Sequence, residues 1–195
     1  MIVVGFDPGG IKSFGWAVLE IDSLQAIIRL DTGVVSSAPD AVNAASLAAG
    51  LQPAGVGIDA PLFWTERGDR WVDSHIRKRL IAAGGSSGTV SSVNSLQGAC
   101  LVQGIITARL TSKLWPTALL TEAHPKALLR ISTAAEQFVG LHVPPNIQEH
   151  ERDAALAAYA AWCGIVEISN WSNLALQEPN PIFPGGNVAT YWFPR

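Results

Sequence analysis

Three apolar runs in this sequence each stop at a carboxylate. Val3-Val4-Gly5-Phe6 runs into Asp7, Val56-Gly57-Ile58 into Asp59, and Leu119-Leu120-Thr121 into Glu122. Read as parallel strands, these runs deliver three acidic side chains to neighbouring strand ends, where open α/β sheets bind their ligands. Carboxylates gathered there repel one another and raise each other's pKa. An oxygen-seeking divalent cation, Mg²⁺ or Mn²⁺, relieves the repulsion. A fourth carboxylate, Asp153, belongs to a late helical stretch, and Glu149 and His150 share its face through spacings of four and three residues. Ala154, Ala155, Ala157, Ala158, Ala160 and Ala161 follow it. Side chains this small let the helix approach a sheet closely and carry Asp153 to the strand ends. His124 and His150 are the imidazoles available to move a proton.

Each residue also has a plainer use. Asp7-Pro8-Gly9 opens a turn. Asp59 can cap a turn ahead of Ala60-Pro61, and His124 can serve as a hydrogen-bonded structural histidine. Glu149 stands three residues after Asn146, the spacing of a capping box. The coincidence of Asp7, Asp59, Glu122 and Asp153 weighs more than any one of them.

Between the second and third acidic runs lies a segment of interleaved cations and rings: Phe63, Trp64, Arg67, Arg70, Trp71, Arg77, Lys78 and Arg79. Such a mixture suits phosphates and unstacked bases, with Arg67, Arg70, Trp71, Arg77 and Lys78 as the expected substrate contacts. A solvated helix with a few core-facing rings accounts for it equally. Gly84-Gly85-Ser86-Ser87-Gly88 reads as a surface linker or a mobile flap. As a phosphate cradle it lacks the Gly-Lys-Ser/Thr ending.

The elements that must position these residues follow from the apolar pattern. Runs at 2–6, 14–21 and 26–35, separated by turn residues, read as an antiparallel meander of three strands. An Ala-rich helical stretch at 40–51 precedes a strand at 55–60. Helices are expected at 69–83 and 96–110, a strand at 117–122, a short helix from 126 to 130, and a long helix at 147–163 capped by Asn146. A meander followed by βα units implies an α/β fold with a mixed sheet and helices on its faces. The 195 residues suit a single domain spanning 1–195, with a helical and loop insertion around 62–95 and a Pro/Gly/aromatic tail at 170–195. That tail's Tyr191-Trp192-Phe193 either covers the core or buries itself against a second copy.

Composition narrows the partners. The net charge of -3 offers no global field for nucleic acid or an anionic membrane, so attraction to phosphate must come from a local patch or from bound metal. Cys100 and Cys163 lie in apolar helical stretches without metal-ligand spacing and read as small buried hydrophobes. No stretch approaches the ~18 apolar residues of a spanning helix, and the opening run is too short for a signal peptide. A soluble cytoplasmic protein without membrane contact is expected.

Gly5-Phe6-Asp7-Pro8-Gly9 followed by Gly15-Trp16-Ala17-Val18 resembles the opening of RuvC-type resolvases, and His150-x-x-Asp153-Ala154 resembles their closing helix. The middle of the chain resembles more closely an RNase H-like family of predicted nucleases. The matching pieces are Gly57-Ile58-Asp59-Ala60-Pro61-Leu62, Glu122-Ala123-His124-Pro125 and Arg152-Asp153-Ala154-Ala155. The resemblance runs from the first strand to about Cys163. It implies an RNase H-like fold with a five-stranded mixed sheet in the order 3-2-1-4-5, strand 2 antiparallel. It also implies a two-metal nuclease with Asp7, Asp59, Glu122 and Asp153 as metal ligands and catalytic positions, and Mg²⁺ or Mn²⁺ as cofactor. Where the resolvases carry a glutamate this chain has Asp59, one methylene shorter.

The net negative charge favours a small, structured or single-stranded DNA or RNA over long duplex. Pairing of two copies into a homodimer is open. Two other functions compete. One is nucleotide binding or phosphotransfer of the actin-like ATPase branch, which needs two such lobes and hence a dimer. The other is a non-catalytic binding module with a decayed site.

Overall fold

The computed structural model of the chain describes residues 1–63, 65, 70–90 and 98–195. Strands β1 (Ile2–Asp7), β2 (Phe14–Ile21) and β3 (Ile27–Val35) form the expected antiparallel meander. β4 (Gly55–Ile58) lies parallel to β1, and β5 (Leu119–Glu122) parallel to β4. All six residues of β1 are buried. A strand covered on both faces has no polar alternation, which is why it reads as a continuous apolar run.

The sheet is larger than the five strands expected. It has seven, in the order β3-β2-β1-β4-β5-β7-β6. The additional pair, β6 (Trp171–Asn173) and β7 (Thr190–Pro194), comes from the stretch expected to be a loose tail. β7 runs parallel to β5, and the Thr190 hydroxyl donates to the Leu120 carbonyl at 3.0 Å. Tyr191 and Phe193 are buried in the chain's own core, which answers the question left open for the aromatic tail.

Helices cover both faces. α1 (Ala38–Ala49) and α2 (Trp71–Ala82) lie on opposite faces of the sheet, and α1 packs with α3 (Gly98–Leu114) over Val4, Phe6, Val18, Val56 and Ile58. The opposite face carries α4 (Pro125–Ile131), α5 (Thr133–His142) and α6 (Glu149–Ile165), together with α2. Ser37 starts α1 by accepting from the Asp40 amide at 3.4 Å. α5 went unread in the sequence, although Ser132 caps it by accepting from the Ala135 amide at 3.3 Å.

α6 sets the geometry of the site. Its backbone lies directly on the sheet because three strands present glycine beneath it. A Cβ on Gly5 would stand 1.9 Å from the Ala154 carbonyl oxygen, one on Gly57 2.0 Å from that of Ala157, and one on Gly15 2.0 Å from that of His150. The alanines of α6 supply the other half of the fit. The helix starts two residues later than its sequence suggests. The Gln148 amide donates to the Glu151 carboxylate at 3.0 Å, so Glu151 rather than Glu149 serves the cap and Asn146 lies outside the helix. Among the described residues no helix is long and apolar enough to cross a membrane.

Candidate functional site

Parallel pairing puts Phe6 level with Ile58. Asp7 and Asp59, one residue further along each strand, therefore emerge side by side at the C-terminal edge of the sheet. They line a cleft of about 140 Å³ with Ala60, Pro61, Thr89, Cys100 and His124. α6 adds His150 and Asp153. Nδ1 of His150 lies 2.5 Å from Oδ2 of Asp7. Oδ1 of Asp153 accepts from Nε and Nη2 of Arg152 at 3.0 and 2.7 Å. At the start of α4, Lys126 pairs with Glu149 at 2.9 Å while its charge also bears on Asp7, Asp59 and Asp153.

The electrostatics of the three aspartates agree. Burial pushes Asp7 up to about 6, against the pull of His150 and with a further push from Asp153. Asp59 is held well above the usual carboxylate range, first by burial and then by Asp7 and Asp153. Asp153 is raised by burial although Arg152 opposes it. Mutual repulsion among buried carboxylates at a strand edge costs stability, and such a cluster is a candidate functional site.

Glu122 does not join them. It lies level with Ile58, one residue short of the position equivalent to Asp59. Both its oxygens are held by Arg70, at 2.7 and 2.8 Å, and one also accepts from the Leu62 amide at 2.9 Å. Glu122 is thus the buried ion-pair partner of Arg70, and its charge also bears on Asp59.

The reading of Arg70 as a substrate contact is corrected. The guanidinium expected at substrate is 1% exposed and clamps Asp73 as well, at 2.6 and 2.8 Å, while lying 4.5 Å from the centre of the Phe63 ring. Of its neighbours, Arg77 donates to the Val90 carbonyl at 3.0 Å. Arg79 holds the Pro194 and Arg195 carbonyls. Trp71 is half exposed and stacks on His75 at 4.6 Å, and Lys78 is exposed. Trp64 and Arg67 lie outside the described residues. The cations beside the carboxylates are instead Lys126 and Arg152. Sequence reading passed over both because neither belongs to the basic run.

His124 reaches the cleft in a form unsuited to shuttling protons. Burial lowers its pKa to about 4, and its Nδ1 is paired with the Tyr191 hydroxyl at 3.1 Å. Cys100, read as a buried hydrophobe, is half-buried and lines the cleft, with its Sγ 3.9 Å from the Asp59 carbonyl. Burial, with Asp59 next, pushes that thiol up to about 12, so it is un-ionised.

Comparison of the chain with protein-family models, with curated proteins and with solved structures found no match. The site must be judged on its own chemistry. Among the described residues no group of three or more His, Cys, Asp or Glu side chains is set as a ready ligand shell. By chemistry the three aspartates offer the oxygen donors that a hard divalent cation takes. Three carboxylates with raised pKa values face a common edge, and a double positive charge is what would restore their ionisation. Of their partners, Arg152 on Asp153 is the one that such an ion would displace.

Proposed function

We propose that this chain is a metal-dependent phosphodiesterase of the RNase H-like class that hydrolyses small or single-stranded nucleic acid. The observation that carries the reading is the convergence of Asp7, Asp59 and Asp153, each displaced upward in pKa, at the edge where α6 is pressed onto β1 and β4. Five strands of the sheet keep the order 3-2-1-4-5 with β2 antiparallel, which supports the fold class. The β6–β7 pair is an addition to it.

Asp7, Asp59 and Asp153 would hold Mg²⁺ or Mn²⁺. Such an ion supplies a Lewis acid for the phosphodiester oxygens. With Glu122 committed to Arg70, the two-metal arrangement implied by the resemblance lacks its fourth carboxylate, and the reading narrows to a site built on three aspartates. His150 is the group placed to take a proton. Its Nδ1 is oriented by Asp7, its side chain is 40% exposed, and its Nε2 is the nitrogen left for a water or a leaving oxygen. Lys126 and Arg152 flank the carboxylates and offer the positive charge that a phosphate needs. The net charge of -3 predicts weak, salt-sensitive binding of long polymers.

The 2.5 Å His150–Asp7 contact favours a second reading, an acid–base pair that needs no metal. One assay separates the two. Labelled oligonucleotide pools incubated with wild type in Mn²⁺ should be cleaved, and cleavage should vanish with EDTA or in Asp59→Asn. Cleavage that survives EDTA but not His150→Ala supports the acid–base pair, and equal activity in all samples removes both.

A further inference from the structure

The sheet ends at β3, a nine-residue strand that has no partner on its outer side among the described residues. An edge of this length is a template for another strand unless it is blocked. Bulges, prolines and charges of one sign do such blocking, and β3 carries one charge of each sign, Arg29 and Asp31. β3 contains no proline, and its only register shift against β2 lies at its start, opposite Glu20 and Ile21. Ile28 on this strand is 59% exposed.

We infer that β3 pairs antiparallel with β3 of a second copy, centred on Leu30, to join two sheets into one. Symmetry and charge fix the register. Directly opposed residues of an antiparallel pair face the same side, and neighbours along a strand face opposite sides. A two-fold pairing must therefore centre on a residue and not between two. Centring on Arg29 or on Asp31 opposes that residue to its own copy and brings like charges together. Centring on Thr32 leaves both charges facing Gly33 and Val35. Centring on Leu30 sets Arg29 opposite Asp31 of the second copy, twice, with Leu30 against Leu30 and Ile28 against Thr32 on the other face.

The charges are already arranged for this. Within one chain Arg29 is paired with Glu20 of β2 at 2.9 Å and with Asp31 at 3.0 Å, and all three side chains are close to 40% exposed. The second copy would continue that ladder across the dyad, and cross-strand pairs of opposite charge stabilise a sheet where like pairs oppose it. Such an interface is isologous and closes on itself as a dimer.

Sedimentation of the full chain tests the inference independently of any activity. Wild type should be dimeric at tens of micromolar. Asp31→Arg alone and Arg29→Asp alone should each weaken dimerisation by about tenfold or more. The double variant R29D/D31R, which restores opposite charges across the dyad, should regain it. Leu30→Cys should form an intermolecular disulfide under mild oxidation, because directly opposed residues stand within bridging range. A wild type that stays monomeric at 100 micromolar, single variants that dimerise like wild type, or a Leu30→Cys chain that does not cross-link would overturn it.

Discussion

With its guanidinium clamped between Glu122 and Asp73 away from water, Arg70 cannot be removed without leaving two buried carboxylates unpaired. Breaking a buried pair from one side costs about 3–5 kcal/mol. Arg70→Met should therefore lower stability by that amount in urea denaturation, far beyond a surface arginine such as Arg109. The aspartates behave in the opposite sense. Asp59 is held in the fold against burial and two neighbouring charges, so Asp59→Asn should stabilise the metal-free protein by about 1–2 kcal/mol, a rise of roughly 3–6 °C in Tm by calorimetry. Sequence separates these two kinds of residue poorly. Asp7 and Asp59 were legible because an apolar run ending in a carboxylate predicts a strand-end acid. The fate of Arg70 was not, since its partners lie 3 and 52 residues away and a cation beside aromatics looks the same whether it faces solvent or the core.

α6 is the element on which the site depends. It brings His150 and Asp153 to the strand ends only because Gly5, Gly15 and Gly57 leave room for its backbone. Gly57→Val should force it outward. Overpacking of this kind costs about 3 kcal/mol where backbone must move, and the variant should lose Mn²⁺ affinity even at temperatures where circular dichroism reports a folded chain. The alanine run of α6 announced a close approach in the sequence. The matching glycines did not stand out, because each reads as ordinary within its own strand until pairing aligns them. The same holds for Glu122. The length of β5 was readable, but the pairing of Glu122 with Arg70, 52 residues away, is a tertiary choice. β6 and β7 were missed for a related reason: three- and five-residue strands among prolines and glycines show no alternation of their own.

At the scale of the whole molecule, the buried carboxylates couple folding to pH. Burial holds Asp7 of the metal-free folded chain up at about 6, against 3.8 for the exposed group. The folded state therefore binds its proton more tightly. Asp7 favours folding most below 3.8, and that contribution fades as pH rises to 6, where the carboxylate ionises in both states. Stability of the metal-free protein should thus decline across this window, and the decline should be shallower in Asp7→Asn when unfolding is followed from pH 4 to 7. A bound divalent ion reverses the preference by favouring the ionised form.

The central claim is that Asp7, Asp59 and Asp153 together hold one doubly charged ion. Titration of the apo protein with Mn²⁺, read by the loss of the free-ion paramagnetic resonance signal, tests it without assuming any reaction. Saturable uptake of one Mn²⁺ per chain is predicted for wild type and for Glu149→Gln, with uptake abolished in Asp59→Asn and Asp153→Asn. Absence of saturable uptake by wild type, or undiminished uptake by Asp59→Asn, would contradict it.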